Sequence, residues 1–242
     1  MKRQQPLNLD SLRTELKSIS DDETAAVSQR FFKTAPGEYG EGDLFLGVRV
    51  PELRKLAKKC QAFSLQQTTI LLHSKFHEER LLAVIIWVNQ FKKASVEEKE
   101  AIYHAYLENT QYINNWDIVD ISACHIVGGY LENKSIRPLK RLAKSDVLWE
   151  RRIAIMASLY FIRKGEFEPT LVLSKMLLTD EHDLIHKAVG WMLREVGKRD
   201  LAVEEAFLRK YYLKMPRTML RYAIERFPEK KRKGYLTGKV GF

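Results

Sequence analysis

The sequence predicts an all-α protein in which pairs of helices repeat along the chain. Three observations lead to this prediction. Apolar residues recur mostly at helical spacing, and the apolar–polar alternation of half-buried strands is rare. Glycine and proline are scarce, and only the segment Thr34–Asp43 has the composition of a long loop. Similar apolar segments also return roughly every 36 residues, a spacing typical of helical-repeat proteins.

The helical pattern divides the chain into about a dozen segments, each bounded by a change of composition. Asp21 and Ser95 have the residue types that cap helix N-termini, and Glu98 completes a capping box with Ser95. Pro51 suits a first helical turn. The predicted helices lie near residues 9–19, 22–33, 50–60, 64–73, 76–92, 95–108, 115–131, 135–144, 147–163, 167–178, 181–197, 200–213 and 216–226.

The repeat is marked by one position near the start of every second helix. These marks are Arg80, Trp116, Arg152, Lys187 and Arg217, at successive spacings of 36, 36, 35 and 30 residues. A single two-helix unit cannot bury its apolar face alone, so such units stack. We therefore expect an α-solenoid of HEAT-like two-helix repeats, forming a curved array with a basic concave face. A helical bundle with chance similarities is the alternative.

We expect one domain over residues 1–242, with a basic C-terminal tail at about 229–242. The chain has 41 Lys and Arg against 31 Asp and Glu, a net charge of +10. Such a charge favours a polyanionic partner, nucleic acid first and a membrane surface second. A row of basic register marks would suit the regular phosphates of a duplex. The alternative for this row is a solvated flank without a partner.

Several function classes are excluded by missing motifs. The chain has no C-x-x-C, H-E-x-x-H, Walker or G-x-G-x-x-G sequence. The His73/His77 and His182/His186 pairs have no third ligand at a suitable spacing, so we expect no metal. Cys60 and Cys124 lie in apolar helical patterns and predict reduced core thiols. With no secretory signal pattern and no apolar run long enough for a bilayer, we expect a cytoplasmic protein without a membrane partner.

One carboxylate interrupts the apolar pattern of the repeats. Four residues after each register mark the chain carries mostly apolar side chains, but Asp120 follows Trp116 at this spacing. Asp117 can stabilise the first turn of the helix, whereas Asp120 lies a full turn further in. An inward carboxylate beside aromatic side chains is a candidate functional group. A buried ion pair with an arginine of the next repeat is the alternative.

Together with the segments around it, Asp120 gives the chain a resemblance to the AlkD-type DNA glycosylases, a family of HEAT-like-repeat DNA alkylation repair enzymes. The resemblance runs from about Phe31 to Arg217. It is carried by four short segments in order, namely Phe45-Leu-Gly-Val-Arg-Val-Pro-Glu-Leu-Arg54, Asn115-Trp-Asp-Ile-Val-Asp120 followed by Gly128, Leu148-Trp-Glu-Arg-Arg152-Ile-Ala, and Ile185-His-Lys-Ala-Val-Gly-Trp191-Met-Leu-Arg-Glu195.

The resemblance implies hydrolysis of the N-glycosidic bond of cationic N3- and N7-alkylated purines, without metal or cofactor. The implied partner is double-stranded DNA containing alkylated bases, and we expect a monomer. Asp120 matches the catalytic carboxylate, Trp116 and Trp191 the aromatic cleft residues, and Arg152 the arginine beside the lesion's backbone. The residues that we expect to contact DNA are Phe31, Arg80, Lys187, Arg194 and Arg217.

Three departures from the family pattern leave questions open. Phe31 stands where some members have a tyrosine, and Asn115 stands where the best-known pattern has an aromatic residue. The Thr34–Asp43 loop is an insertion whose acidic composition makes it a poor phosphate cradle. A catalytically silent DNA-binding repeat module is the first alternative function, and a peptide-binding scaffold is the second.

Overall fold

The computed structural model describes residues 8–240, and this part of the chain is all-helical. An isolated parallel bridge joins Leu44 to Phe76. The fold class expected from the sequence is confirmed as a series of helical repeats. The helices are α1 Leu9–Ser18, α2 Asp22–Phe31, α3 Val50–Lys59, α4 Leu65–Leu72, α5 His77–Phe91, α6 Val96–Glu108, α7 Trp116–Ala123, α8 Arg137–Leu142, α9 Leu148–Ala157, α10 Leu159–Arg163, α11 Glu168–Met176, α12 Asp183–Gly197, α13 Leu201–Tyr211, α14 Arg217–Ala223 and α15 Glu229–Thr237.

The predicted helices match these elements, with differences at three places. The prediction for 115–131 becomes α7 followed by a π-helical turn at Cys124–Gly128. The prediction for 147–163 becomes two helices, since Ser158 separates α9 from α10. The helix α15 lies where we expected only a basic tail, and its Tyr235 is buried at 2% exposure. The last two residues of that predicted tail lie outside the described residues.

The chain divides into two compact units, residues 1–122 and 123–242. The single domain expected from the sequence stays a prediction. Over residues 8–240, no helix combines the length and the apolar composition that a membrane crossing requires.

The first unit is built around α5, which packs against α3, α4 and α6. Thirteen of the fifteen residues of α5 are buried, so this helix is enclosed on all sides. Trp87 is fully buried, as expected for a core tryptophan, and its indole N–H donates to the Thr68 hydroxyl at 2.6 Å. The first turn of α5 is also buried, although it carries charged side chains. These side chains belong to a polar network within the first unit.

The second unit stacks α9, α12 and α14 in chain order. Two glycines allow the close contacts. A Cβ at Gly128 would lie 2.4 Å from the Ala157 carbonyl oxygen, and a Cβ at Gly190 would lie 2.4 Å from the Met219 carbonyl oxygen. Each carbonyl comes from the residue 29 positions further along the chain. Equal spacing of equivalent contacts is the geometry expected of stacked repeats.

A shared helix start defines the repeat in the structure. Ser74 Oγ, Ser145 Oγ and Asp180 Oδ1 each accept a hydrogen bond from the backbone N–H two residues later. The carbonyl oxygen of the same residue is bonded by a side chain six positions on, in the pairs Ser74–Arg80, Ser145–Arg151 and Asp180–His186.

The structural register therefore pairs Arg80 with Arg151 and His186. The sequence comparison had paired Arg80 with Arg152 and Lys187, so it was wrong by one residue at these two repeats. Similarity of apolar residues alone could not place the register, because hydrogen bonds at the helix starts set it.

The two cysteines behave as the sequence predicted for thiols. Cys60 and Cys124 are both free and buried. Burial raises the pKa of each thiol to about 11, so neither is a reactive thiolate at neutral pH.

Candidate active site

Helix α7 presents two faces of different character. The Asn115 carbonyl oxygen accepts the Val119 N–H and starts the helix. Ile118 and Val119 are fully buried on the core face. Trp116 and Asp120, which are four residues apart and so lie on one face, are both half-buried. The face that carries the predicted catalytic carboxylate is therefore neither core nor freely exposed surface.

Asp120 lies near a buried phenol of the preceding helix. Tyr106 is fully buried, and its hydroxyl is hydrogen-bonded to Ser122 Oγ at 2.9 Å. Burial raises the pKa of Tyr106, and the charge of Asp120 raises it further. The Tyr106 hydroxyl thus stays protonated beside the Asp120 carboxylate.

The ring of Trp116 belongs to an aromatic cluster formed by Phe31, Phe32, Phe45, His77 and Trp116. Phe32 stacks on Trp116 with ring centroids 5.3 Å apart, and Phe31 meets Trp116 edge-on at 5.9 Å. Phe32 also stacks on Phe45 at 5.2 Å, while the His77 ring lies 4.7 Å from that of Phe45. Offset-stacked and edge-to-face pairs are the favoured geometries of aromatic rings, so this cluster fixes the plane of the indole.

Phe31 differs from the other members of this aromatic cluster in its exposure. It is 62% exposed, whereas Phe45 is 9% exposed. An exposed phenylalanine held against Trp116 offers an apolar face to an incoming ligand. The structure brings Phe31 and Trp116 together, and their roles toward DNA stay predictions.

A buried histidine joins the start of α7 to the loop before α3. His77 is 2% exposed, with Nε2 at 2.8 Å from Asp117 Oδ2 and Nδ1 at 3.3 Å from Asp43 Oδ2. Burial by itself lowers the pKa of this histidine, but the hydrogen bonds to Asp117 and Asp43 outweigh burial and raise the pKa to about 9. His77 is therefore protonated at neutral pH and donates from both ring nitrogens.

Asp43 accepts hydrogen bonds from two further donors of this network. Arg80 Nη2 donates to Asp43 Oδ1 at 2.6 Å, and Asn115 Nδ2 donates to Asp43 Oδ2 at 3.5 Å. Burial works against the carboxylate, but His77 and Arg80 hold the pKa of Asp43 below its usual range. Arg80, predicted to contact DNA, is only 3% exposed. The guanidinium group of Arg80 is therefore engaged in a buried ion pair within the protein.

Two of the three departures from the family pattern, the Thr34–Asp43 loop and Asn115, have structural roles in the first unit. Glu38 and Glu41 accept the backbone N–H groups of Ala35 and Gly37, so the acidic side chains close the loop on itself. Asn115 is fully buried, and its Oδ1 accepts the Trp116 N–H at 2.8 Å. An amide at this position thus links the start of α7 to Asp43, which an aromatic residue could not do.

The residues after the loop are fastened to α5 through Glu78. Its carboxylate accepts the backbone N–H groups of Leu46, Gly47 and Val48 at 2.9, 2.8 and 3.3 Å. Gly47 has φ +77°, and a Cβ there would lie 2.0 Å from the Asp21 carbonyl oxygen. Only glycine fits this position, where the chain passes directly beside the start of α2.

The predicted site residues of the second unit have their own partners. Trp191 is half-buried, and its indole N–H donates to Glu195 Oε1 at 3.2 Å. Arg152 is 5% exposed and donates from Nη1 to the Leu184 carbonyl oxygen at 2.6 Å. These contacts hold both side chains in defined orientations, and their roles toward DNA stay predictions.

The remaining basic residues predicted to contact DNA also lie in the second unit. Lys187 pairs with Asp183 at 2.6 Å, and Arg194 pairs with Glu225. Arg217 is exposed, and its guanidinium group donates to the Leu236 carbonyl oxygen. Among residues 8–240, no group of three His, Cys, Asp or Glu side chains is placed to hold a metal ion.

The sequence analysis missed the buried network formed by Asp43, His77, Arg80, Asn115 and Asp117. One signal could have revealed it. The run His77-Glu-Glu-Arg80 opens a helix that is otherwise apolar on every side. Charged residues on a fully buried helix need partners, so this run predicts a polar network even though it cannot name the partners.

Fold and site together define a helical-repeat protein with a half-buried carboxylate beside a tryptophan. Residues 12–227 match the family described as DNA alkylation repair enzyme, and the chain belongs to this family. Family membership indicates a role in DNA alkylation repair.

Two solved structures share the fold. A predicted DNA alkylation repair enzyme from Enterococcus faecalis is 19% identical, with a TM-score of 0.68 over 87% of this chain and 97% of that one. The protein smu.31 from Streptococcus mutans UA159 is 16% identical, with a TM-score of 0.52 over 91% and 98%. No curated protein sequence gives a significant match.

Proposed function

We propose that the protein is a monofunctional DNA glycosylase. It hydrolyses the N-glycosidic bond of cationic alkylated purines, of the 3-methyladenine and 7-methylguanine type, in duplex DNA. The product is an abasic site, so the reaction initiates base-excision repair. Membership of the DNA alkylation repair enzyme family supports this proposal, and so does the net charge of +10, which favours a polyanionic substrate.

The observation that carries the proposal is the position of Asp120. This carboxylate is half-buried, one helical turn after Trp116, on the face of α7 that is turned away from the core. Cleavage of an N-glycosidic bond builds positive charge on the deoxyribose, and a fixed carboxylate stabilises that charge and orients the attacking water. A preorganised contact of this kind contributes roughly 3–4 kcal/mol in comparable sites.

The leaving group makes a general acid unnecessary. An alkylated purine already carries a positive charge, so it departs as a neutral base without protonation. The main demand on the protein is then to place the carboxylate and to exclude competing water. Trp116 supports this role because its indole face attracts cationic character through cation–π forces. Its packing against Phe31 and Phe32 holds that face in place.

Trp191 and Arg152 enter the proposal through the family resemblance. The indole of Trp191 offers a second aromatic surface to the sugar, and its bond to Glu195 sets its orientation. The resemblance gives Arg152 the role of holding a phosphate beside the lesion, since its planar fork matches phosphate oxygens. At 5% exposure, its guanidinium group has to exchange its hydrogen bond to the Leu184 carbonyl oxygen for the phosphate. We further propose that the protein acts as a monomer.

The test is release of the base from a duplex that carries a single 7-methylguanine. Single-turnover rates are compared for the wild type, Asp120→Asn and the control Asp10→Asn, whose exposed carboxylate lies on α1. We expect Asp120→Asn to lose about 100- to 1,000-fold in rate, the cost of removing one preorganised electrostatic contact. Asp10→Asn should keep the wild-type rate.

DNA affinity is measured in parallel at several salt concentrations. We expect Asp120→Asn to bind as tightly as the wild type, with a log–log salt slope of about −0.9 per phosphate contact. Base release by the wild type but also by Asp120→Asn at an equal rate would refute the role of Asp120 alone. Binding by both proteins without base release by either would replace the enzyme with a DNA-binding module.

A further inference from the structure

The proposed mechanism does not use His77, a buried ionisable group of the first unit that is bonded to two carboxylates. We propose that His77 is a positioning residue for base release. Held between Asp43 and Asp117, it fixes the first turn of α7 and thereby the side chains of Trp116 and Asp120. This inference rests on the proposed glycosylase activity.

Two separate sets of hydrogen bonds link His77 to α7. The first is direct, because Nε2 donates to Asp117 in the first turn of the helix. The second passes through Asp43, whose Oδ2 accepts from both His77 and the Asn115 amide that bonds the Trp116 N–H. The backbone entry into α7 is thus fastened at residues 115, 116 and 117.

The same imidazole also supports the indole ring. Phe45 stacks on His77, and Phe32 lies between His77 and Trp116, with centroid distances of 5.0 and 5.3 Å. A tilt of the imidazole would therefore move the ring that sets the plane of Trp116. Trp116 and Asp120 share one helix face, so both respond to a shift of the first turn.

Charge balance makes this device dependent on the His77 proton. The groups facing His77 are Asp43 from the loop, Asp117 from α7 and Arg80 from α5. With His77 protonated, two cations meet two carboxylates. The neighbouring acids of α5 have other partners, since Glu78 binds backbone N–H groups and Glu79 pairs with Arg13 at 3.1 Å.

Loss of the proton leaves two carboxylates against one arginine and removes one of the two imidazole donors. One of the two sets of hydrogen bonds that link His77 to α7 is then lost. Because hydrogen bonds to the two aspartates raise the pKa of His77 to about 9, this loss falls in the alkaline range. We expect the base-release rate to fall as the pH rises through about 9 while DNA affinity stays constant.

The experiment measures single-turnover base release from the 7-methylguanine duplex between pH 6 and 9.5, with uncatalysed loss and ring opening subtracted. The variants are Asp117→Asn and the matched control Glu79→Gln, a buried carboxylate of α5 that does not contact His77. Asparagine at 117 keeps an oxygen for the Ile118 N–H, which Asp117 Oδ1 now accepts. It removes the charge that favours the His77 proton.

We expect Asp117→Asn to move the alkaline midpoint down by about one pH unit or more, the usual effect of removing a nearby opposite charge. Glu79→Gln should keep the wild-type midpoint. His77→Gln should lose up to about 100-fold in rate, as small misplacements can, with unchanged DNA affinity. Histidine NMR titration of the wild type should give the same midpoint as the rate, and this comparison needs no variant.

The inference is overturned if the wild-type rate does not follow the His77 titration. It is also overturned if Asp117→Asn leaves the midpoint in place, or if Glu79→Gln shifts it equally. Wild-type protein that releases no base at any pH would instead overturn the proposed function, and the inference with it.

Discussion

Each of the two compact units contains the same type of helix start, but the arginine of this motif is buried to a different depth in each unit. At the start of α5, Arg80 bonds the Ser74 carbonyl and pairs with Asp43, and both side chains are at most 5% exposed. At the start of α9, Arg151 bonds the Ser145 carbonyl in the same way, but it pairs with Asp180 and is 19% exposed. The helix start is the same in both units, but the Arg80–Asp43 ion pair is more deeply buried than the Arg151–Asp180 ion pair.

The difference lies in what each arginine is joined to. Asp180 is itself the first residue of the next helix start, so the Arg151–Asp180 pair connects one repeat to the following one. Asp43 comes from a loop outside the repeat pattern and connects Arg80 to His77 and Asn115. A repeat contact that serves stacking in the second unit thus supports the predicted catalytic helix in the first.

The largest expected effect compares Asp43→Ala with Asp180→Ala. Removal of Asp43 leaves the buried Arg80 without a carboxylate partner and His77 with Asp117 alone, a change that costs about 3–5 kcal/mol. Removal of Asp180 should cost less, about 1–3 kcal/mol, because Arg151 is partly hydrated and keeps two backbone carbonyl partners. The free energy of unfolding is measured in urea, and hydrogen exchange assigns the loss to α5 or α9.

An exposed pair provides the control for this comparison. Lys55 and Glu52 are paired on α3 with 68% and 46% of their side chains exposed. Lys55→Ala should therefore change stability by less than about 1 kcal/mol. Equal losses in Asp43→Ala and Asp180→Ala would show that depth of burial does not separate the two helix starts.

The next effect concerns a buried carboxyl group that lacks such compensation. Glu204 of α13 is 2% exposed, and its Oε1 accepts no hydrogen bond among residues 8–240. Burial, and then the charge of Glu205, raises its pKa from 4.5 to about 8. A raised pKa means that the protonated form stabilises the fold, fully below pH 4.5 and progressively less as the pH rises through 8.

We therefore expect Glu204→Gln to be more stable than the wild type at pH 8, by about 4 kcal/mol. The two proteins should converge about one pH unit below 4.5, where the wild-type carboxyl is protonated in both folded and unfolded chains. Urea unfolding from about pH 3.5 to 8.5 measures the difference. A constant difference at all pH values would mean that Glu204 has the same pKa in the folded and unfolded chains and would refute the raised pKa.

The smallest effect tests whether the helix starts are equivalent where they are chemically alike. Ser74 and Ser145 accept the N–H groups of Phe76 and Val147 at 3.1 and 3.0 Å. Replacing either serine by alanine removes one such bond and should cost about 1 kcal/mol, the usual loss for a capping side chain. Thermal unfolding of Ser74→Ala and Ser145→Ala should give similar shifts. A much larger loss at Ser74 would show that the network around Asp43 depends on the turn as well.

The candidate site was predicted only in part. Asp120 stood out because a carboxylate replaced an apolar residue in a repeated pattern, and Trp116 and Phe31 do lie together in the structure. The sequence comparison aligned Arg80 with Arg152, whereas the structure aligns it with Arg151. These two arginines are adjacent, and either alignment matches the surrounding apolar residues equally well. His77 was considered only as a metal ligand, although it is the centre of a polar network.

The sequence by itself determined the helices, their pairing into repeats and the family. These follow from local patterns, since the spacing of apolar residues and the capping residues act within a few turns of chain. The tertiary structure alone decided which charges are buried and what they bind. Asp43 lies 34 residues before His77, and Asp117 lies 40 residues after it. No local pattern encodes partners so far apart, because they meet only when the packed helices bring them within hydrogen-bonding distance.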